Sequence, residues 1–502
     1  MKIGCCCVGG DGILSASQAS KTIQESNRQR KELIVERQQN SLIAAIALFG
    51  LLLFACSSLK HALYRSTAAD LGIFDQAIYL ISQGKTPISS LLGFHILGDH
   101  AAFIYYPIAL LYKLYPSVYW LFALQAIALS SAALLASNLA LDAGLPRSQS
   151  RLVAFAYLFY PLIFNINLFD FHPDVFVPFG LFAAVLSARR GKIIGFCAAI
   201  ALILSCKAVL SLTVAAMGVW LFACEKKRLY GAIAFCAGIA WFAIATQIII
   251  PTFGGAGATL GRHLWRYAYL GSSFNEIFQN FLFKPQLLLG QIFSFDSLRY
   301  LLLLVLPLLW GLSPRRLAPL IAAIPALCLN LLADDPNQRD LYYQYSLPVL
   351  PFLILSVIAT LAAGEGLRLR RKTVMLWCAI AFFAFAKHYY ILRFLSTFDT
   401  WTATTQAMSA IPPNASVLTD NELAPHLTHR PTLKLINTPL SEAELGAFDF
   451  VLIDLRRPWP DHVALAQQRV AYFRQQPNFN LVSQRDEIYL FARKPQSSSI
   501  LR

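Results

Sequence analysis

Apolar runs long enough to cross a lipid bilayer recur in this chain from residue 41 to about residue 392. Of its 502 residues, 57% are hydrophobic and only 14% are charged, whereas a soluble domain carries roughly 25% charged residues. The sequence therefore predicts an α-helical polytopic membrane protein.

The lysines and arginines lie largely in short loops between the apolar runs. In a soluble protein a net charge of +15 would suggest a nucleic-acid partner. Here the cations indicate topology instead, because cytoplasmic loops are enriched in them, so we expect no nucleic-acid partner. The predicted cytoplasmic clusters are Arg147 with Arg151, Arg189 with Arg190 and Lys192, Lys226 with Lys227 and Arg228, Arg315 with Arg316, and Arg368 with Arg370, Arg371 and Lys372.

An even number of spans must separate neighbouring cytoplasmic clusters. Residues 193–224 have a cluster at each end, so they are predicted to form a hairpin with Lys207 at its outer turn. Residues 103–115 become an interfacial or re-entrant helix. The count is about eleven spans, with the N-terminus inside and the C-terminus outside. They are expected at about 41–59, 117–141, 152–168, 175–188, 193–206, 208–224, 229–250, 298–312, 317–333, 347–364 and 373–392.

Three regions follow from this topology. Residues 1–40 form a basic cytoplasmic tail, predicted to be disordered or loosely helical. Residues 41–394 form the transmembrane domain, with outer loops at 60–102 and 251–297. Residues 395–502 are predicted to be a small extracytoplasmic α/β domain, with helices at 397–410, 421–427 and 461–475. Its expected strands are 416–418, 433–436, 450–453, 480–482 and 488–491.

Within the first outer loop, a helix is predicted after Thr67. Thr67 and Asp70 have the spacing of a capping box, and Gly84 is expected to end the helix. Asp75 is not needed as a cap. It borders the apolar stripe of that helix, where a carboxylate is costly unless it is used or paired. The stripe consists of Leu71, Phe74, Ile78 and Ile81.

Five short strings share an order with a known family. They are Asp70-Leu-Gly-Ile-Phe-Asp75-Gln, Leu97-Gly-Asp99-His100, Phe169-Asp170-Phe-His172-Pro-Asp174, Tyr267-Ala-Tyr-Leu-Gly271-Ser and Pro425-His426-Leu-Thr-His429-Arg430-Pro431. Over about residues 45–500 the chain resembles a family of bacterial membrane proteins that is named only as a domain of unknown function. That family is grouped with the GT-C superfamily of membrane glycosyltransferases.

The resemblance implies a glycosyltransferase-like protein of the bacterial cytoplasmic membrane. Its donor would be a sugar linked to a polyprenyl phosphate, and its catalytic carboxylate would lie in the first outer loop. Asp75 is the leading candidate for the base that takes the proton of the acceptor hydroxyl, and Asp70 is the second. The alternative for Asp70 is the capping box. The alternative for Asp75 is a surface carboxylate near the headgroups.

Two further polar strings carry candidate substrate-binding residues. Asp99 and His100 either cap the next helix or bind a sugar. Asp170, His172 and Asp174 alternate in a tight outer turn, which can converge on a divalent cation or a sugar. The rival interpretation of this second string is a helix N-terminus.

Lys207 is a candidate partner for the lipid phosphate, with snorkelling to the interface as the alternative. The family pattern has acidic residues after this lysine, whereas Ala208 and Val209 follow it here. This departure puts a shared lysine–carboxylate role in doubt.

Residues 251–297 contain a glycine-rich stretch followed by Arg262, His263 and Arg266. This pattern suits a lid that grips phosphate, since arginine offers fixed donors. An interfacial helix anchored by aromatic residues explains it equally well. Tyr343, in the last outer loop, is a candidate for lining the acceptor pocket or belongs to an aromatic belt.

The sequence thus favours a membrane glycosyltransferase whose partners are a lipid-linked sugar donor, membrane lipids and an acceptor of unspecified chemistry. Two alternatives stay open. A non-catalytic envelope scaffold would tolerate the loss of Asp75. A transporter would carry ionisable residues deep within its spans or inverted repeats, and few such residues and no obvious repeat are found.

Overall fold

The computed structural model describes residues 16–255 and 260–495 of the chain, and it is mostly helical. The helices of the membrane region are α1 (Ala16–Ala62), α2 (Ile73–Ser82), α3 (Leu97–His100), α4 (Tyr105–Leu114), α5 (Tyr119–Asp142), α6 (Arg147–Leu158), α7 (Pro161–Phe169), α8 (Val177–Arg189), α9 (Ile193–Leu204), α10 (Leu210–Ala223), α11 (Arg228–Ile244), α12 (Ile250–Gly254), α13 (Phe274–Phe283), α14 (Pro285–Ile292), α15 (Phe295–Val305), α16 (Ile324–Leu332), α17 (Leu350–Ala362), α18 (Arg371–Phe385) and α19 (Tyr389–Leu395). Helix α1 takes in residues 16–40 of the predicted tail, and the remainder of that tail lies outside the described residues.

Each of the eleven predicted spans overlaps a helix, but many of these helices are short. Within residues 16–255 and 260–495, four helices are long and apolar enough to cross a membrane, or up to six if each of two bent pairs is one span. The count of eleven therefore stays a prediction. The four are Gln39–Ala62, Tyr119–Asp142, Arg147–Phe169 and Arg228–Gly254, and the bent pairs are Pro285–Ile292 with Phe295–Gly311 and Arg371–Phe385 with Tyr389–Leu395.

Helices α9 and α10 form the predicted hairpin, with Lys207 in the break between them. The side chain of Lys207 reaches Asp174, which lies in a short 3-10 turn leading into α8. The far end of α10 returns to the far end of α8, where Arg189 pairs with Glu225 at 2.9 Å. Two opposite ends of this helix group are thereby defined by ion pairs.

Two of the predicted basic clusters, those of Arg189 and Lys227, meet at the far ends of α8 and α10, where Lys227 donates to the backbone oxygen of Arg189. The neighbouring Arg190 binds Asp142 at the end of α5, at 2.7 Å. Basic residues of these clusters thus meet acidic partners from other loops at the same end. Lys207 and Asp174 occupy the other end, so the structure separates the two kinds of polar chemistry along the helix axes.

Glycines allow the backbones of α10 and α11 to come into direct contact. A Cβ atom on Gly218 would lie 2.5 Å from the backbone nitrogen of Phe235, and one on Gly231 would meet the backbone of Gly218. Small residues are what helix–helix contacts within a membrane require, because lipid chains compete for apolar side chains. This contact fixes the far half of the hairpin that carries Lys207.

The C-terminal region is a small α/β domain built on one five-stranded sheet. Strands β1, β2 and β3 are parallel, whereas β5 runs antiparallel to both β3 and β4. The elements are α20 (Phe398–Ser409), β1 (Val417–Thr419), β2 (Leu433–Leu435), α21 (Glu442–Leu445), β3 (Phe450–Asp454), α22 (Val463–Gln475), β4 (Phe479–Arg485) and β5 (Ile488–Arg493). All five predicted strands are present at their expected places.

The helix predicted at 421–427 is wrong: only a 3-10 turn, Ala424–His426, is found there. Two causes are visible. Pro425 has no N–H with which to continue a helical ladder. The backbone oxygen of Asn421 is also turned to another partner, since it accepts a hydrogen bond from the N–H of Ala68 at 2.9 Å.

Contacts of this kind join the C-terminal domain to the first outer loop along its length. Arg65 binds Glu422 at 2.6 Å, and the rings of His61 and His426 stack with centroids 3.9 Å apart. The hydroxyl of Ser90 donates to the backbone oxygen of Leu433. The domain therefore covers the loop that holds the candidate catalytic residues.

Candidate functional site

The loop around Thr67 is held by a distant carboxylate and not by a capping box. Thr67 precedes a π-helical turn, Ala68–Gly72, but its side chain makes no cap hydrogen bond there. Its N–H and its hydroxyl instead donate to Oδ2 of Asp170, at 3.0 and 2.8 Å. The predicted capping box is therefore wrong, because Asp170 accepts from the N–H of Thr67 that Asp70 was expected to satisfy, and the hydroxyl of Thr67 donates to Asp170 instead of capping the helix.

Asp70 is thus available for another role, and it meets His172. The Oδ1 atom of Asp70 lies 3.0 Å from Nε2 of His172, while Nδ1 of the same ring lies 3.1 Å from the backbone oxygen of Asp170. A carbonyl oxygen can only accept, so Nδ1 carries a hydrogen. The ring is thereby oriented with Nε2 towards Oδ1 of Asp70.

Asp70 is also the carboxylate of this cluster that reaches solvent. Its side chain is 26% exposed, whereas that of His172 is 2% exposed. Burial acts to raise the pKa of Asp70, but the charges of His172, Lys207 and Lys60 outweigh it and hold the pKa below its usual value. At neutral pH, Asp70 is an ionised carboxylate with an accessible edge.

Lys207 lies near Asp70 and is neutralised by Asp174, with Nζ and Oδ2 2.7 Å apart. Both side chains are almost fully buried, which excludes the predicted alternative of a lysine that snorkels into water. Asp174 lies 33 positions before Lys207 in the chain. It supplies in space the carboxylate that the sequence lacks directly after Lys207.

The three alternating residues of the 170–174 turn do not converge on a shared cation. Asp170 is bound by Lys60, at 2.9 Å, in addition to Thr67, and Lys60 also donates to the backbone oxygen of Phe169. His172 faces Asp70 and Asp174 faces Lys207. Over the described ranges, no group of three His, Cys, Asp or Glu residues is arranged to hold a metal ion. The rival prediction of a helix start at Pro173 agrees with the 3-10 turn found there.

Asp75, the leading sequence candidate, is buried and has both oxygens occupied. Its side chain is 1% exposed. The hydroxyl of Tyr112 donates to Oδ1 at 2.6 Å, the hydroxyl of Thr428 donates to Oδ2, and Nε2 of His429 lies 3.1 Å from Oδ2. The alternative of a surface carboxylate is therefore wrong. Asp75 ties α2 and α4 to the C-terminal domain.

The Leu97–His100 helix lies against the turn that carries Lys207. The backbone oxygen of His100 accepts a hydrogen bond from the N–H of Ala208 at 2.9 Å. A Cβ atom on Gly98 would collide with the backbone of Gly254, so glycine allows α12 to pack there. Asp99 pairs with His100 at 3.3 Å. It does not cap α4, which begins after Ile104 without a side-chain cap.

Of the predicted lid, Arg266 is the cation whose side chain the structure describes. Its Nε lies 3.2 Å from Oδ2 of Asp335, and its guanidinium lies over the ring of Tyr345, 5.8 Å from the centroid. The side chains of Arg262 and His263 fall outside the described residues. Tyr343 packs edge-on against Phe169, next to Asp170, with centroids 4.8 Å apart.

Sequence reasoning missed the partners that come from distant parts of the chain. The sequence offers Asp174 as a helix start and as a cation ligand, but nothing in it indicates Asp174 as the partner of Lys207. It does not indicate Tyr112 as a donor to Asp75 either. One signal was available for Thr428, since it lies inside the string that runs from Pro425 to Pro431.

Comparisons with known proteins give a family and two distant structures. A family model described as "Predicted membrane protein (DUF2079)" matches residues 60–490. The structure of ArnT from Cupriavidus metallidurans bound to undecaprenyl phosphate is similar with a TM-score of 0.48 and 13% identity, over 90% of this chain and 99% of that one. The apo structure of that protein gives a TM-score of 0.42 and 13% identity, over 91% and 100%. Among curated proteins, no sequence matches the chain.

Proposed function

We propose that this chain, which belongs to the DUF2079 family of predicted membrane proteins, is a membrane glycosyltransferase. It would transfer a sugar from a polyprenyl-phosphate donor to a hydroxyl of an extracytoplasmic acceptor. One observation carries the proposal: an accessible, ionised carboxylate, Asp70, is hydrogen-bonded to Nε2 of His172 and lies in the electrostatic field of Lys207. The sequence resemblance to a family grouped with the GT-C superfamily supports it.

Asp70 is the proposed general base. As the acceptor oxygen attacks the anomeric carbon, its proton passes to Asp70, and the bond from that carbon to the phosphate oxygen breaks. The bonding electrons leave with the polyprenyl phosphate. His172 is a positioning residue, because its Nδ1 is anchored on the backbone oxygen of Asp170 and its Nε2 orients the carboxylate of Asp70.

Asp75 is less suited to this role than Asp70. A base must place a free lone pair against the substrate, and the hydroxyls of Tyr112 and Thr428 already donate to the two oxygens of Asp75. Removing those donors would leave buried polar groups unpaired, which costs about 1–3 kcal/mol for each group. We therefore assign Asp75 to holding the C-terminal domain over the site.

Lys207 is proposed to stabilise the departing phosphate, with Asp174 fixing the direction of its ammonium group. Arg266, and with it Arg262 and His263, would serve the phosphate from the 251–297 loop. Contacts to the sugar or the acceptor are assigned to Asp99, His100 and Tyr343.

The site would face the outer side of the bacterial cytoplasmic membrane, with the N-terminus inside and the C-terminus outside. The donor would then enter from the outer leaflet. The support is the separation of basic clusters from the Asp70 cluster along the helices and the enrichment of Lys and Arg in cytoplasmic loops.

Reconstitution tests the proposal. The full chain is placed in proteoliposomes with polyprenyl-phosphate sugars, and release of polyprenyl phosphate is measured for the native protein and for Asp70→Asn. We expect Asp70→Asn to lower turnover about a hundredfold or more, while the matched change Asp296→Asn, at an exposed carboxylate on α15, has no effect. Equal turnover in Asp70→Asn would remove Asp70 from the mechanism. No turnover with any donor would favour the scaffold.

A further inference from the structure

A second polar site lies at the carboxyl ends of β1 and β3, away from Asp70. The strand order is β2-β1-β3-β5-β4, so the chain leaves β1 for β2 on one side and later returns to β3 on the other. Such a reversal opens a crevice beyond the carboxyl ends of parallel strands, and ligands of α/β sheets bind in crevices of this kind. Here Asp420 follows β1 and Asp454 ends β3.

The crevice is a narrow cleft between this sheet edge and the first outer loop. It is lined by three carboxylates, Asp420, Glu422 and Asp454, and by two guanidinium groups, Arg65 and Arg457; the exposed indole of Trp459 also borders it. The enclosed space is about 20 Å³, which is room for one water-sized group. A ligand would therefore insert one small polar group and leave the rest of itself in the mouth.

One buried polar atom in the lining, Nε of Arg65, lacks a hydrogen-bond partner among the described residues, and a carboxylate oxygen of Asp420 is open to a donor. The side chain of Arg65 is 9% exposed, and although its Nη1 binds Glu422, its buried Nε has no partner among the residues described. The Oδ2 atom of Asp420 accepts from the N–H of Asp454, while its Oδ1 receives no hydrogen bond from the described part of the chain. A buried polar atom without a partner is unfavourable, so a bound group that accepts from Nε of Arg65 gains affinity, and one that also donates to Oδ1 of Asp420 gains a second hydrogen bond.

The lining selects the chemistry of that group. It must accept from Arg65 and donate to Asp420, which a single hydroxyl does. A free phosphate would face three carboxylates, and a divalent cation would face two guanidinium groups, so a neutral polyhydroxyl ligand fits better than either ion. The flat apolar face of Trp459 at the mouth suits the face of a pyranose ring.

We propose that this cleft is a carbohydrate-binding site in which one sugar ring lies against Trp459 and presents a hydroxyl to Arg65 and Asp420. The inference goes beyond the proposed transfer reaction, because binding here requires no transfer. The site is nonetheless connected to the loop of Asp70. Asn421, which also lines the cleft, accepts hydrogen bonds from the N–H of Ala68 through both its backbone and its side-chain oxygen.

The test is ligand-detected NMR on the full chain. Methyl α-glucopyranoside, methyl α-mannopyranoside and methyl α-galactopyranoside are offered at millimolar concentration in a detergent without a sugar headgroup, and saturation transfer to each is measured. We expect at least one glycoside to bind. Asp420→Asn should weaken its binding about tenfold, since a hydrogen bond to a carboxylate is altered, and Trp459→Ala should weaken it similarly.

Two comparisons make the result decisive. Leu481→Ala, on the exposed face of β4, should bind the glycoside as the native chain does. Asp70→Asn should also bind it normally, even though we expect that variant to lower transfer about a hundredfold or more. Binding that survives Trp459→Ala and Asp420→Asn would overturn the proposal, as would binding that is lost in Asp70→Asn, and so would the absence of binding by all three glycosides.

Discussion

The Nε2 atom of His429 lies 3.1 Å from Oδ2 of Asp75, and the ring of His429 stacks on Tyr79 with centroids 4.3 Å apart. Residues 75 and 429 belong to two strings that stand far apart in the sequence, yet they meet at the boundary between the membrane region and the C-terminal domain. The hydroxyls of Thr428 and Tyr112 also donate to the buried carboxylate of Asp75.

Asp75→Asn should therefore weaken the attachment of the C-terminal domain to the membrane region, and any effect on the reaction should follow from that. An amide has one oxygen and cannot accept from both Tyr112 and Thr428 as the two carboxylate oxygens do, so we expect a loss of about 1–3 kcal/mol in the free energy of unfolding and faster proteolysis near residue 395. Thermal unfolding and limited proteolysis of the detergent-solubilised chain measure this. Thr428→Val, which removes one donor and keeps the volume, should show a smaller loss. An Asp75→Asn protein of native stability but without turnover would return Asp75 to the role of base.

The hydrogen bond between Asp70 and His172 predicts a shift in the pH profile of the reaction when His172 is replaced. The pKa of Asp70 in the folded chain is held below 3.8, its value in the unfolded chain. The stabilisation that the ionised carboxylate brings is therefore fully present above pH 3.8. It is lost as the pH falls through the lower pKa of the folded chain. His172→Phe removes one of the groups that lower the pKa of Asp70, so the effect of burial raises this pKa above that in the native chain. The acid limb of kcat/KM should move to higher pH, whereas Tyr343→Phe should leave the limb in place. An unmoved limb in His172→Phe would contradict the assignment.

The pair of Lys207 and Asp174 separates stability from catalysis. Removing one partner of a buried ion pair costs about 3–5 kcal/mol, because the other charge is left uncompensated. Lys207→Met and Asp174→Leu should each destabilise the chain by that amount, and the double variant should regain much of it. Turnover should stay lost in the double variant, since no cation faces the phosphate. Lys113→Met, at an exposed position of α4, is the matched control. Turnover by the double variant would exclude Lys207 from the reaction.

Local patterns predicted the helices and strands, and long-range contacts decided the site. The hairpin around Lys207 followed from charge clusters on both sides of an apolar run, which is information carried within residues 189–228. The capping box failed because Thr67 bonds to a carboxylate 103 positions away. Nothing in residues 67–70 indicates that Asp170 will be the hydrogen-bond partner of Thr67.

The candidate site shows the same division. The carboxylates of the first outer loop could be chosen from the sequence, because a charge beside an apolar stripe needs a reason. The sequence could not decide which of the two, Asp70 or Asp75, is the better candidate for the base. Tyr112 of α4 and Thr428 of the C-terminal domain bury the carboxylate of Asp75. Asp170 binds Thr67 in place of Asp70, so the carboxylate of Asp70 stays accessible. The exposure of each carboxylate therefore depends on contacts with distant parts of the chain.

Glu422 gives the stability of the domain junction a pH dependence. Burial raises the pKa of Glu422 to about 7, against the opposing charges of Arg65, Lys60 and Arg393 and with the help of Asp454. The folded chain thus binds this proton more tightly than the unfolded chain, whose value is 4.5. The destabilisation caused by burying the ionised Glu422 is absent below the pKa of the unfolded chain. It grows as the pH rises between the two pKa values and is complete above the pKa of the folded chain.

Glu422→Gln removes that cost while keeping an acceptor for Arg65. The Tm of the variant relative to the native protein should therefore rise as the pH increases from about 5 to about 8, by an amount that corresponds to no more than about 3 kcal/mol. Glu442→Gln, at an exposed position of α21, should show no such trend. A constant or falling difference in Tm would exclude a raised pKa at Glu422.

Sidedness can be tested independently of activity. The N–H of Ala68 binds Asn421 and Asp75 binds His429, so the first outer loop and the C-terminal domain must lie on one side of the membrane. Arg189 and Glu225 mark the opposite end of the helices, where cytoplasmic cations are expected. Reporters that are active only outside the cytoplasm, fused after Ala102 and after Arg502, should both be active, while a fusion after Gly191 should be silent. Activity at Gly191 with silence at Ala102 would invert the membrane orientation and turn Asp70 towards the cytoplasm.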